Sequence, residues 1–367
     1  MKKLHRSWVA VAAAALLVAC SGGGEGDQSP RVSYGKLVTF GDSLSDVGTY
    51  GVGIVASFGG GKYTINGNEL SLNWTELLAK TVGVADLCPA QTGLNSAAEL
   101  GGPVPTQDFD TCYSYAQGGA RVTDPVGPGN IALWTFFGDP SGMLGQLTDP
   151  VVNQITRHLD KPSVNGGFAA DDLVTVMAGG NDLFMNIAAY ESLVGSGTSP
   201  DDARDAVVGL MQAAGAQLAA LVKDEIVGNG AQRVVVVNVP SAQNAPAFLG
   251  SPDTQALVTA MVSAFNGALA TGLTGTEANV LQVDAYTVSA DQAANPAQYG
   301  LSNVTTPACD LEGALVELPT SLVCSEATLI GGDVTYYQYA DTVHPTPYGY
   351  KLLAQLVTQE MAKKGWL

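Results

Sequence analysis

The sequence predicts an α/β protein with a mainly parallel sheet covered by helices on both faces. Short apolar runs recur that are too continuous for strands exposed on one face. Long segments of helical periodicity lie between them. A third observation, polar residues held by glycines just after these runs, places function at the carboxyl edge of the sheet.

Taken in order, Lys36 to Phe40, Asp172 to Ala178, Arg233 to Val239 and Asn279 to Val283 read as strands. Asp201 to Val227 repeats apolar residues at helical spacing, through Val207, Met211, Ala214, Leu218 and Val222, and stops at Gly228-Asn229-Gly230. Thr254 to Leu273 is a second such helix, and Val151 to Leu159 a shorter one. The last runs from Tyr348 to Met361, with Thr346 as N-cap and Pro347 as its first residue. Strands and helices in this alternation imply parallel pairing through crossovers.

Ahead of the first strand, Lys2, Lys3 and Arg6 precede an apolar stretch from Trp8 to Ala19. Residues 1–19 therefore read as a signal peptide, too short to span a bilayer. Leu17-Val18-Ala19-Cys20 resembles a bacterial lipobox, which implies cleavage before Cys20 and lipidation of its thiol. Ser21 in the next position resembles the outer-membrane sorting pattern of Gram-negative bacteria. The expected chain is exported and lipid-anchored to a membrane, with residues 20–33 a flexible tether and residues 34–367 a single domain. No second composition shift or internal repeat marks another boundary.

The apolar fraction of 46% supplies a sizeable core. Without the leader, thirteen basic residues remain against 34 acidic ones, a net of −21. That surface repels phosphate backbones and excludes nucleic-acid binding. Cys88, Cys112, Cys309 and Cys324 remain beyond Cys20, and an even count in an exported chain reads as disulfides. Three pairings are open; Cys88 with Cys112 and Cys309 with Cys324 is the expected one, because each pair brackets one Gly/Pro/Asp-rich stretch. A zinc site is disfavoured, since no C-x-x-C occurs and only two histidines survive processing.

Four segments carry chemistry. Phe40-Gly41-Asp42-Ser43 leaves the first strand, Ala178-Gly179-Gly180-Asn181-Asp182 leaves the second, and Tyr113 to Arg121 turns at Gly118-Gly119 between them. Asp341-Thr342-Val343-His344 enters the last helix. A serine hydroxyl needs a base, and His344 has a carboxylate three residues earlier to orient it. His158 has no such partner and reads as a surface helix residue. Acyl chemistry also needs oxyanion donors, which the Ser43 and Gly119 N–H groups and the Asn181 amide would supply. Singly, each feature has a plain structural reading: a tight turn at Gly118-Gly119, a helix cap at Asn181. Jointly they point to one site.

These blocks resemble the GDSL-type lipases and esterases of the SGNH hydrolase superfamily. Gly41-Asp42-Ser43-Leu44-Ser45-Asp46, Tyr115 to Ala120, Gly179-Gly180-Asn181-Asp182 and Asp341 to Thr346 match its four blocks in order. Asn73-Trp74, Phe265-Asn266 and Asn295 to Gly300 are further matches. The resemblance implies a three-layer α/β/α sandwich on a flavodoxin-like, five-stranded sheet. It implies Ser43 as nucleophile, His344 as base then acid, Asp341 as its orienter, and Ser43, Gly119 and Asn181 as the oxyanion hole. Hydrolysis of small-molecule or lipid carboxylic esters, fatty-acyl, aryl or phospholipid, is expected without metal or cofactor. Acyl transfer to an alcohol and a non-catalytic surface lipoprotein are the alternatives. Trp134-Thr135-Phe136-Phe137 and the stretch from Tyr286 to Ala340 are the segments expected either to shape an acyl pocket or to cover core.

Overall fold

In the computed structural model, which describes residues 32–311 and 320–367, the chain enters the sheet at β1 (Lys36–Gly41). Short α1 (Gly53–Ser57) and α2 (Trp74–Val82) follow, then an antiparallel pair, β2 (Gln91–Leu94) and β3 (Val104–Asp108). Next come α3 (Ile131–Phe137), α4 (Val151–Leu159), β4 (Asp172–Met177), α5 (Gly180–Gly195) and α6 (Pro200–Ala220). β5 (Arg233–Val237), α7 (Pro252–Gly272), β6 (Val280–Val283), α8 (Ala285–Ala294) and α9 (Pro347–Lys364) complete the order among the described residues. The leader, Cys20 and the tether through residue 31 lie outside the described residues. Val32, expected in the tether, packs instead against the cluster that holds Trp366.

The main sheet has the order β1-β4-β5-β6, all parallel. Strand side chains alternate between two cores, as a period of two requires. Val38, Phe40, Val174, Val176, Val234 and Val236 face one way, against α4 to α7. Leu37, Leu173, Met177, Val235, Val237 and Val283 face the other, against α2 and α9. The result is the three-layer α/β/α arrangement.

Among the described residues, four strands form this sheet where five were expected. The fifth position is taken by residues 113–117, bonded to β1 as a parallel neighbour: Thr39 N–H to Tyr113 O, Tyr115 N–H to Thr39 O, and Gln117 N–H to Gly41 O, at 2.7–3.1 Å. This segment meets Pro89 on its outer side, which has no N–H to give, and turns away at Gly118. Both disulfides pair as neighbours, Cys88 with Cys112 and Cys309 with Cys324. α9 starts as the sequence indicates, with the Thr346 hydroxyl accepting the Gly349 N–H and Pro347 in the first turn.

His158 is a correction. It is fully buried: it continues the Val151, Gln154, Ile155 stripe of α4 that faces the sheet. Its Nδ1 lies 3.2 Å from the Tyr115 hydroxyl and its ring stacks on Phe168. Burial, with Lys36 and Lys161 nearby, pushes it down to about 3, so it stays neutral.

Candidate active site

The first block leaves β1 at a point fixed from below. Gln154 of α4 accepts the Gly41 N–H and donates to the Gly41 carbonyl, both at 2.8 Å. Gly41 has φ +147°, and a Cβ there would lie 2.1 Å from the Met177 carbonyl oxygen, so only glycine lets β1 and β4 part here. Asp42 then accepts the Leu44 N–H at 3.1 Å and is buried; that burial pushes it up to about 7. Ser43 is 8% exposed at the resulting bend.

The last block delivers its histidine to that bend. His344 Nε2 lies 2.9 Å from Ser43 Oγ, and its Nδ1 lies 2.7 Å from Asp341 Oδ2. The buried Asp341 carboxylate also accepts the N–H groups of Val343, His344 and Ser321, at 2.9, 2.7 and 2.8 Å. Burial alone would raise this carboxyl, but the adjacent imidazole and these N–H groups outweigh it and hold it well below the usual range. Ser321 reaches Asp341 from the segment closed by Cys309–Cys324, and Cys309 itself donates to the Ala340 carbonyl at 3.0 Å.

The middle blocks interlock around the same point. Asp46 accepts Gly48 and Thr49 N–H groups on one oxygen and the Gly118 N–H on the other, at 2.8–3.0 Å. Gly118 is thereby engaged, while Gly119 follows in the left-handed region at φ +77°. Asn181 does not cap α5; its amide donates to the Ala120 carbonyl at 2.8 Å. Asp182 holds Arg121 at 3.2 Å and the Val122 N–H at 3.0 Å. The further matches brace the frame: Asn73 caps α2 and donates to the Asp46 carbonyl, and Asn266 pairs with both backbone groups of Val239.

Ser43, Asn181 and His344 border one cleft; Gly119 is not among its bordering residues. The cleft is lined by Val239 and Pro240, just beyond the end of β5, by Phe184 and Phe248, and by Val288 and Leu353. Phe184 and Phe248 stack at 5.9 Å. Of the two segments expected to shape a pocket, residues 286–340 contribute Val288, Gln292, Gln338 and Tyr339. Trp134 to Phe137 do not border it. They belong to α3, where Leu133 is buried and Phe136 and Phe137 are 76% and 78% exposed.

Two neighbours of the site escaped the sequence reading. Gln154 had a readable signal, a polar residue inside the apolar stripe of α4. Tyr63, whose ring lies 4.7 Å from that of His344, had none, because it comes from a loop with no periodicity.

Among curated proteins, an uncharacterized protein from the trpE-trpG intergenic region of Pseudomonas putida is 28% identical over 93% of this chain. The chain spans 50% of that protein's length. A GDSL esterase/lipase of Arabidopsis thaliana is 21% identical over 91% of both chains. A solved lipase/acylhydrolase of Enterococcus faecalis aligns over 90% of this chain and 96% of its own at 12% identity, with a TM-score of 0.36. The family model described as GDSL-like lipase/acylhydrolase matches residues 37–357, and with four fifths and more of its length so matched the chain belongs to that family.

Proposed function

We propose that this protein hydrolyses carboxylic esters of fatty-acyl or aryl type through an acyl-enzyme on Ser43. The observation that carries the proposal is the pair of contacts on one imidazole, 2.9 Å to Ser43 and 2.7 Å to Asp341. In this reading, His344 Nε2 takes the Ser43 proton as Oγ bonds to the ester carbonyl carbon. Asp341 holds the Nδ1 proton and balances the imidazolium that forms. The carbonyl oxygen becomes an oxyanion, met by the N–H groups of Ser43 and Gly119 and the Asn181 amide. With Gly118 committed to Asp46, Gly119 is the glycine of that turn left for the task. Collapse of the intermediate breaks the ester C–O bond, and His344 returns its proton to the leaving alcohol. Water then attacks the acyl-enzyme by the same route in reverse, freeing the acid and Ser43.

The Phe184–Phe248 wall supports an apolar acyl or aryl group as the part of the substrate held in the cleft. Export and lipid attachment at Cys20, with residues 34–367 acting as one hydrolase domain, belong to the same proposal, and place the substrate at a membrane, the outer one by the Ser21 pattern. The test is a rapid-mixing measurement with an activated aryl ester. The wild type is expected to release a burst of alcohol and Ser43→Ala none. A wild type without turnover overturns the proposal in favour of a non-catalytic surface protein, and a Ser43→Ala variant that keeps turnover overturns Ser43 as the nucleophile. Consistent capture of the acyl group by added alcohol over water would make it an acyltransferase.

A further inference from the structure

The two hydrogen bonds of His344 lie at opposite edges of its ring. Bonds placed that way fix the ring along the line joining them and leave it free to rock about that line. With no neighbour on its face, the ring can also shift sideways off that line, and misplacement of the base by about 1 Å costs on the order of 100-fold in rate. Tyr63 closes this freedom. Its ring lies against the imidazole face, with centroids 4.7 Å apart and planes 36° from parallel.

The tyrosine is itself immobilised. It is 3% exposed, its hydroxyl donates to Gln146 Oε1 at 2.7 Å, and its carbonyl accepts the Tyr350 hydroxyl at 3.1 Å. The rings of Tyr50 and Tyr63 meet in a T with centroids 6.4 Å apart, and the Tyr50 hydroxyl donates to the Gly118 carbonyl at 2.8 Å. The Tyr63 hydroxyl fills the space beside Gly118 so closely that a Cβ there would lie 1.8 Å from it. One side chain thus touches both the imidazole and the Gly118-Gly119 turn. Its π face also attracts a cation, so the contact favours the imidazolium that forms as Ser43 attacks.

We propose that Tyr63 is a positioning residue for His344, acting through the face of its ring; the proposal rests on the Ser43–His344 reading above. The experiment compares kcat and KM for an aryl ester in the wild type, Ser43→Ala, Tyr63→Phe and Tyr63→Met, with thermal midpoints and the strongly deshielded His344–Asp341 proton signal recorded for each. Tyr63→Phe keeps the ring face and is expected to hold kcat within about threefold of wild type. Tyr63→Met fills part of the space but has no ring face, and kcat should fall by about 100-fold with KM unchanged. Its deshielded proton signal should broaden or vanish, while that of Tyr63→Phe persists. Wild-type kcat in Tyr63→Met overturns the proposal, as does a loss in Tyr63→Phe as large as in Tyr63→Met. So does a Tyr63→Met loss that disappears below its own melting range, which would make the role one of stability alone. If Tyr63→Met does not fold, Tyr63→Leu, which also lacks a ring face, is read in its place against the same outcomes. An inactive wild type or an active Ser43→Ala instead removes the reading on which the proposal rests.

Discussion

A serine hydroxyl at neutral pH is a poor nucleophile, and whether Ser43 is more than that depends on one histidine. Because Ser43 and His344 act as a unit, Ser43→Ala and His344→Ala should each lower kcat by several orders of magnitude. The double variant should be no worse than either, as kcat measurements on all three will show. Asp42 invites a separate test. Burial pushes it up to about 7, against 3.8 for an ordinary aspartate, so between those values the folded chain holds a proton that the unfolded chain releases. Stability from this group is therefore full below about pH 4 and is lost as pH rises towards 7. Asp42→Asn keeps an acceptor for the Leu44 N–H and should remove part of that decline in urea midpoints; an unchanged slope would contradict it. The meeting of Ser43, Asp341 and His344 was legible because each sits in a short marked segment, Ser43 just after the first strand and Asp341 three residues before His344. Tyr63 was not, since it comes from a loop with neither a motif nor a periodicity to mark it, and meets His344 only through tertiary packing.

Among the elements, the segment closed by Cys309–Cys324 carries more than its own fold. It supplies the Ser321 N–H to Asp341 and pairs Cys309 with Ala340, the residue before that aspartate. The bridge closes a loop with a sequence separation of 15, for which the chain-entropy model gives about 3 kcal/mol. Replacing both cysteines by serine should lower stability by about that amount and lower kcat too, because Asp341 loses its hold. Denaturation and turnover measured on the same variant separate the effects; unchanged turnover would show that the segment holds only itself. The four strands of the main sheet and the helices α6, α7 and α9 were legible from periodicity, β1 and β4 almost to the residue, whereas the 16-residue α5 was not. α4 was legible as a helix but not in its orientation, because Gln154 and His158 are polar residues on its buried stripe. The pair β2 and β3 was missed, since Gln91–Leu94 and Val104–Asp108 hold few β-branched or aromatic residues.

At the scale of the whole molecule, the fold brings four blocks from across more than 300 positions to the carboxyl edge of one parallel sheet. The sequence order of those blocks, and the strands they leave, made the edge legible. The walls of the cleft were less so. Phe248 comes from a segment with no local mark of function, and Phe184 follows the third block without standing out from an ordinary core residue, whereas the conspicuous Trp134 to Phe137 run lies on α3 and does not border the cleft. Membrane attachment is tested by Cys20→Ala, which is expected to move the protein from the membrane fraction to the soluble one; unchanged partition would remove the lipid anchor. The central claim, that Ser43 is the acylated residue, is tested most directly by labelling the protein with a fluorophosphonate and mapping the modified peptide. The account expects one phosphonylated residue, Ser43, with loss of esterase activity in proportion to labelling; a label elsewhere, or full activity with Ser43 labelled, would contradict it.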